Sequence, residues 1–245
     1  MSKYIVIDKR MRDFEKSYFV NNGFKILEIP ENKNTYLEIS SHVDIFCTKA
    51  DDIIIFEKDA YDYFSSKFDF KKSDSIICGG SKVDTNYPYD VPYNICFIGN
   101  NAIHNFKYTD KKILDIIKEK GLNMININQG YSKCSIAVVD DNSCIVTDKS
   151  IYGILENNDI DVLLLENKPD IKLLNDNKYS DMSGFIGGAI ARVKDSVVVF
   201  GDIKYTNNEN EIRKFVENRN LKLVDFKEKD LIDYGGIIEF RGEDI

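Results

Sequence analysis

The sequence predicts an α/β fold of five ββαβ units around a pseudo-five-fold axis, with the N- and C-terminal strands closing the ring. First, the order strand, turn, strand, helix, strand recurs along the 245 residues. Second, equivalent positions in successive units lie 50, 40, 54 and 50 residues apart. Third, the last unit has only one strand at the C-terminus, and the N-terminus supplies the rest of it. The equivalent positions are Asp44, Asn94, Cys134, Gly188 and Ile238.

Apolar runs separated by short polar turns predict the two paired strands that open each unit. In the split unit, this pattern requires residues 4–7 to pair with residues 236–240, because neither strand can complete a unit alone. The predicted pairs are 42–47 with 53–56, 93–98 with 102–103, 134–139 with 144–147, 185–193 with 197–200, and 235–240 with 4–7.

A helix and a closing strand complete each unit. The helix predicted over 110–120 places Ile113, Ile116 and Ile117 on one face, and Gly121 ends it. The other helices are predicted near 59–66 and at 149–157, 209–218 and 12–21. Closing strands are predicted at 122–127, 162–165, 221–226 and 24–29.

No linker divides the chain, so residues 1–245 are expected to form a single domain. The stretch most rich in turn-forming residues, 79–88, is short enough to be a surface loop within that domain. Two other architectures remain open. A repeat near 50 residues also occurs in all-β kelch propellers, although each unit here contains a helix. A three-layer α/β sheet would use the same elements.

Composition excludes several functional classes. The net charge of −8 argues against nucleic acid or an anionic membrane as a partner. No apolar run approaches the roughly 18–20 residues of a membrane span, and residues 4–7 are too short a run for a signal peptide, so a cytoplasmic location is expected. The five cysteines are odd in number and include no C-x-x-C pair. We therefore expect no disulfide framework, no metal site and no cofactor.

Several segments resemble the arginine deiminases. His42-Val43-Asp44 and the strand that follows resemble their His-x-Asp hairpin, and residues 94–127 are similar to the next deiminase unit. Residues 129–135, QGYSKCS, resemble the glycine-rich approach to the nucleophilic cysteine of these enzymes.

Two further segments, 185–188 and 234–237, fall where the remaining deiminase substrate motifs belong, in the same cyclic order. Over nearly its whole length the chain thus resembles the pentein, or guanidine-modifying, superfamily, which includes deiminases, amidinotransferases and dimethylarginine hydrolases. A small family of uncharacterised clostridial-type proteins with this fold looks closer still, through the signature at residues 184–189.

The resemblance implies that Cys134 is a nucleophile and His42 a general acid and base, while Asp44 orients His42 or holds a cationic amidine. His42 and Asp44 would share one face of the predicted strand, because side chains alternate along a strand. Lys133 and His42 are candidate cations for lowering the pKa of the thiol. Structural roles remain open: His42 and Asp44 can satisfy each other, and Cys134 can be a buried apolar side chain. His104 is expected to be a surface or hydrogen-bonded histidine.

The sequence departs from the deiminase pattern at the carboxylates that bind the guanidinium. Gly188 stands in place of one acid, and Tyr234 and Ile237 stand in place of two others. Glu239 and Asp233 are the nearby acids that could replace one of them. The predicted substrate-binding residues are therefore Asp44, Gly188, Tyr234 and Glu239, and free arginine is expected to be a poor substrate.

Two functions follow from this pattern. The first is a cysteine hydrolase or transferase that acts on an amidine, guanidine or amide carbon of a small molecule through a covalent adduct. The second is a non-catalytic binding protein, because an active site that no longer catalyses a reaction would be expected to lose its two carboxylate motifs. The sequence does not predict an oligomeric state.

Overall fold

The computed structural model describes residues 2–70, 73, 75–174 and 182–242. Within them the chain folds into an α/β structure of short strands and helices. The strands are β1 Ser2–Asp8, β2 Phe24–Ile29, β3 Cys47–Ala50, β4 Ile53–Phe56, β5 Ile76–Cys78, β6 Cys96–Ile98, β7 Asn101–His104, β8 Asn123–Asn126, β9 Ile136–Asp140, β10 Ser143–Val146, β11 Asp161–Leu164, β12 Ile171–Lys172, β13 Ile190–Val193, β14 Ser196–Val199, β15 Lys222–Val224, β16 Leu231–Ile232 and β17 Ile238–Gly242. The helices are α1 Asp13–Asn21, α2 Val43–Phe46, α3 Lys58–Ser65, α4 Lys111–Lys120, α5 Ser132–Ser135, α6 Lys149–Glu156, α7 Ile186–Ala189 and α8 Glu209–Glu217.

Five sheets of three strands share one pattern, in which the middle strand runs antiparallel to its first neighbour and parallel to its second. Their strand orders are β17-β1-β2, β3-β4-β5, β6-β7-β8, β9-β10-β11 and β13-β14-β15. The repeated unit read from the sequence is therefore present. A further parallel pair, β12 with β16, was not predicted. The arrangement of the five sheets around one axis stays a prediction.

The two ends of the chain pair in one sheet, as the sequence predicted. Tyr4 lies opposite Phe240 in the antiparallel register of β1 and β17, and their rings stack with centroids 5.2 Å apart. Both side chains are buried, so this contact joins the termini through apolar packing as well as backbone hydrogen bonds.

The longer helices follow the sequence signals closely. The Asp110 side chain accepts a hydrogen bond from the backbone N–H of Lys112 and caps the N-terminus of α4. Gly121, at φ 66°, ends the helix in the left-handed conformation that glycine adopts most readily. The predicted face of isoleucines is buried. None of the helices in the described ranges is long and apolar enough to cross a membrane.

The opening strand begins later than predicted in all five units, and in three of them a helical turn takes the place of its start, which matters for the site. Four-residue helical turns, α2, α5 and α7, precede β3, β9 and β13, where continuous strands were expected from residues 42, 134 and 185. A four-residue segment is too short to show the periodicity that separates a strand from a helical turn. At Gly187 in α7, a Cβ would meet the carbonyl oxygens of Lys133, Cys134 and Ile136, so glycine permits the close packing of α7 against α5.

Candidate active site

His42 and Asp44 are brought together by α2 rather than by a strand. His42 is the N-cap residue of this helical turn and Asp44 lies in its first turn. The backbone N–H groups of Val43 and Asp44 donate to the carbonyls of Tyr234 and Gly235, at 3.3 and 3.2 Å. The C-terminal segment therefore fixes α2 from the far end of the chain. A Cβ on Gly235 would lie 2.6 Å from Asp44 Oδ1, so the backbone passes against this carboxylate.

Cys134 is held by α5 and by Asn94. Asn94 Oδ1 accepts hydrogen bonds from the backbone N–H groups of Lys133, at 2.9 Å, and Cys134, at 3.2 Å. Asn94 Nδ2 donates to Cys134 Sγ at 3.0 Å. The thiol in turn donates to Asp44 Oδ2, at 2.9 Å. The predicted nucleophile and the predicted cation-binding acid are thus in direct contact.

Asp233 stands beside His42. Its Oδ1 lies 3.8 Å from His42 Nδ1 and accepts from the backbone N–H of Gly235 at 2.8 Å, while its Oδ2 accepts from the N–H of Phe185 at 2.8 Å. A Cβ at Gly188 would overlap the Asp233 carboxylate. The glycine that replaces a deiminase acid therefore leaves the space that Asp233 occupies.

A cavity of about 270 Å³ opens on these groups. His42, Cys134 and Asp233 form one part of its lining, with Glu38 and Asp90 as further acids. The remaining lining side chains are Tyr36, Ile39, Tyr87, Tyr131, Leu173, Met182, Ser183 and Phe185. Among the described residues, no lysine or arginine lines this cavity. It is an acidic and aromatic cavity.

The free site holds Cys134 as a thiol. Burial raises the pKa of Cys134 well above its ordinary value, and the nearby carboxylates of Asp44 and Asp233 raise it further. Burial also raises the pKa of Asp44, with Asp233 adding to the effect and His42 opposing it. The Lys133 ammonium donates to the carbonyl of Gly187, at 2.9 Å. The predicted lowering of the thiol pKa by Lys133 and His42 is therefore not found in the free protein.

None of the four predicted substrate-binding residues is among the described residues that line this cavity, and Asp44 adjoins it through its contact with Cys134. The Tyr234 hydroxyl donates to Glu15 Oε2 at 2.9 Å, and the residue is fully buried in an apolar cluster formed mainly by residues 5–24 and 191–200. Glu239 lines a separate cavity of about 200 Å³, which Asp44 also lines. Of the two replacement acids considered from the sequence, Asp233 is the one beside His42.

Sequence reasoning gave no role to Asn94, Asp90 or Glu38. Asn94 had a signal, because it occupies the repeat position equivalent to Asp44 and Cys134. Asp90 lies between Pro88 and Pro92, and nothing in that loop indicates that it is fully buried beside Tyr131. Groups of His, Cys, Asp and Glu able to hold a metal ion are absent from the described part of the chain.

His104 is buried and hydrogen-bonded, as expected of a structural histidine. Its Nδ1 lies 2.6 Å from Thr109 Oγ1 and its Nε2 lies 2.9 Å from the carbonyl oxygen of Gly130. Since Gly130 shortly precedes α5, the contact with His104 holds the loop that leads to Cys134. Burial lowers the pKa of His104 to about 4.

Acidification is expected to destabilise the wild type more than His104→Gln. The unfolded chain binds a proton at His104 below its ordinary pKa of 6.5, whereas the folded chain binds one only near pH 4. The neutral imidazole of His104 therefore makes its full contribution to the free energy of unfolding above pH 6.5, and this contribution is lost as the pH falls from 6.5 towards 4. Linkage gives a loss of about 2 kcal/mol between about pH 7 and pH 4.5. Urea unfolding of both proteins at both pH values measures it, and equal losses would contradict the assignment.

The sequence profile of a family of unknown function (DUF6873) matches residues 6–238. No curated protein matches the chain. Among solved structures, a mutant dimethylarginine dimethylaminohydrolase from Pseudomonas aeruginosa, complexed with citrulline, is 10% identical, with a TM-score of 0.56 over 94% of this chain and 93% of that one. C. jejuni agmatine deiminase is 11% identical, with a TM-score of 0.54 over 91% and 86% of the two chains. Both are pentein superfamily members, and the likeness shows a shared fold. The predicted link to a clostridial-type family stays an expectation.

Proposed function

We propose that this chain, which belongs to the family of unknown function DUF6873, is a cysteine hydrolase of small cationic amidines or guanidines. The observation that carries the proposal is the contact of the Cys134 thiol with Asp44, at 2.9 Å, beside a cavity lined by His42 and Asp233. A nucleophile, a proton carrier and carboxylates for a cation are the groups that such a reaction needs. The dimethylaminohydrolase and agmatine deiminase folds support the same class of chemistry.

The cavity suits a planar cation with an apolar body. Glu38 is 5% exposed and Asp90 is fully buried, with no hydrogen-bond partner for Asp90 Oδ1 among the described residues. The rings of Tyr131 and Phe185 stack with centroids 6.0 Å apart and give the cavity an aromatic wall. Buried carboxylates and aromatic faces both attract cations.

The cation would itself activate the nucleophile. Its charge beside Asp44 and Asp233 offsets the carboxylates that raise the pKa of Cys134, so the thiol proton can pass to His42. Sγ then bonds to the central amidine carbon, the C–N bond breaks, and the amine leaves with the proton from His42. A water molecule gives a proton to His42 and attacks the same carbon. The C–S bond breaks as His42 returns its proton to the sulfur, the new hydroxyl group loses its proton to solvent, and a urea or amide is released.

The surroundings of His42 support its role as the proton carrier. Its Nδ1 faces Asp233, and its Nε2 is buried without a hydrogen-bond partner among the described residues. A carboxylate on the Nδ1 side of an imidazole leaves Nε2 available to carry a proton.

A substrate without a carboxylate is expected to be preferred over free arginine by at least about tenfold in kcat/KM. The described lining offers no cation to pair with the arginine carboxylate, while Glu38, Asp90 and Asp233 would repel it. Release of ammonia or amine from agmatine, an aralkyl amidine and arginine measures the preference.

Asp90→Asn, which keeps the shape of the side chain, should narrow this preference. Cys78→Ser, a half-buried cysteine outside the cavity, should leave it unchanged. Equal or better turnover of arginine at a rate near about 1 per second would refute the proposed selectivity.

A non-catalytic binding protein is the second candidate. The thiol of the free protein is 3% exposed, protonated and hydrogen-bonded to Asp44, which is the state of a structural cysteine. In that case the cationic ligands would bind in the same cavity without release of amine. Calorimetric binding in the absence of any product would favour this function.

A further inference from the structure

A third cavity, which differs from the acidic site in composition, is lined by basic side chains. It has a volume of about 410 Å³, within the roughly 300–1,000 Å³ range of sites for metabolite-sized ligands. Its basic residues are Lys3, Lys49, Lys194 and Arg241, and we refer to these four as the basic cluster. Its other lining residues are Phe24, Asp52, Ser75, Glu239 and Phe240.

Two members of the basic cluster form a cross-strand pair of like charge. Lys3 of β1 and Arg241 of β17 are direct partners in the antiparallel register. Like charges placed directly opposite each other on neighbouring strands destabilise a sheet. The chain has a net charge of −8, so an acidic partner for either position would be easy to supply. A destabilising pair at this position is expected where a ligand requires it.

Lys194 adds a third cation to the same place. It lies in the turn between β13 and β14 at φ 54°, a conformation that is unfavourable for a lysine. Its ammonium group lies 4.2 Å from the centroid of the Phe24 ring, at the wall of the cavity. Burial lowers the pKa of Lys194, and repulsion from Lys3 and Arg241 lowers it further, while the Glu239 carboxylate opposes the effect.

The acids within reach offset the charge of the basic cluster only in part. Within the described part of the chain, none of the four basic side chains forms an ion pair; the ammonium of Lys49 donates to the backbone carbonyl of Glu239, at 3.1 Å. Asp52 lies 3.4 Å from Lys120 instead. Glu239 Oε1 accepts from the backbone N–H of Lys194 at 3.3 Å, and Glu239 Oε2 is buried without a partner.

We propose that the cavity lined by the basic cluster binds a small phosphorylated metabolite. Lysine and arginine are the side chains that proteins use most for phosphoryl groups, and the anion would remove the repulsion between Lys3 and Arg241. The unpartnered oxygen of Glu239 would accept a hydrogen bond from a hydroxyl or amino group of the same ligand. This site is separate from the proposed catalytic cavity and does not depend on its chemistry.

Thermal unfolding of the full chain tests the proposal with three probes: inorganic phosphate, pyrophosphate and a nucleoside triphosphate. At constant ionic strength, pyrophosphate and the nucleotide are expected to raise Tm by several degrees relative to sodium chloride, because a ligand that binds only the folded state stabilises it. The absence of any rise beyond that in chloride would overturn the proposal.

The double variant Lys3→Gln, Arg241→Gln separates a ligand site from a structural role. Without anion its Tm should equal or exceed that of the wild type, since repulsion is relieved, and the rise with pyrophosphate should disappear. A lower Tm without anion, or an undiminished rise, would contradict the proposal.

Two single variants complete the test. Lys194→Asn keeps a residue that tolerates the left-handed backbone but removes the charge, and it should also lose most of the rise. Lys222→Gln removes an exposed lysine that is paired with Asp195, at 3.3 Å, and should keep the rise. An equal loss in Lys222→Gln would show a non-specific charge effect and overturn the assignment.

Discussion

A cationic haloacetamidine is expected to alkylate Cys134 at least about a hundredfold faster than the neutral haloacetamide of the same shape, after correction for their rates with free cysteine. The amidinium charge would pair with Asp44, which accepts the thiol hydrogen bond at 2.9 Å, and would favour the thiolate. A hundredfold ratio corresponds to about 2.8 kcal/mol, less than the roughly 3–5 kcal/mol at stake when one partner of a buried ion pair is removed. Rates follow from mass spectrometry of the intact protein.

Asp44→Asn is the matched variant for this prediction, because the amide keeps the size of the side chain and removes its charge. The preference for the cationic reagent should fall by at least about tenfold. The neutral reagent should react faster than with the wild type, since Asp44 raises the pKa of Cys134. An unchanged preference would show that Asp44 does not hold the cation.

Deletion of residues 238–245 is expected to destabilise the fold by more than about 4 kcal/mol. The deletion removes β17, which pairs with β1 over five register positions. It also removes the Phe240 ring that stacks on Tyr4, so the Tyr4 ring becomes exposed. β17 is an edge strand of its sheet, and β1 is the central one. Urea unfolding measures the loss. Deletion of residues 243–245 alone, which leaves β17 whole, is the control, and an unchanged midpoint in the longer deletion would contradict the pairing.

Much of the fold could be predicted because its signals are local. Helices α4, α6 and α8 were predicted to within one residue at each end, since each has a regular apolar face. The pairing of β1 with β17 followed from an incomplete unit at each terminus. The helical turns α2, α5 and α7 could not be predicted, because a four-residue buried run has no helical period to detect.

The candidate site could be predicted only in part, because its charge balance depends on contacts between residues that are far apart in sequence. Cys134, His42 and Asp44 were found through motif order, and the structure brings the thiol to Asp44. The role of Asp233 depends on the space left by Gly188, which the sequence does not show. The raised pKa of Cys134 results mainly from burial, and burial of a single thiol has no sequence signal.

Peptide mapping of the haloacetamidine-treated protein shows whether Cys134 is a nucleophile toward cationic amidines. We expect Cys134 to carry the adduct before Cys78, the more accessible half-buried cysteine, and we expect His42→Ala to slow this labelling markedly. Labelling of Cys78 first, or a Cys134 rate that His42→Ala leaves unchanged, would show that Cys134 does not act as this nucleophile.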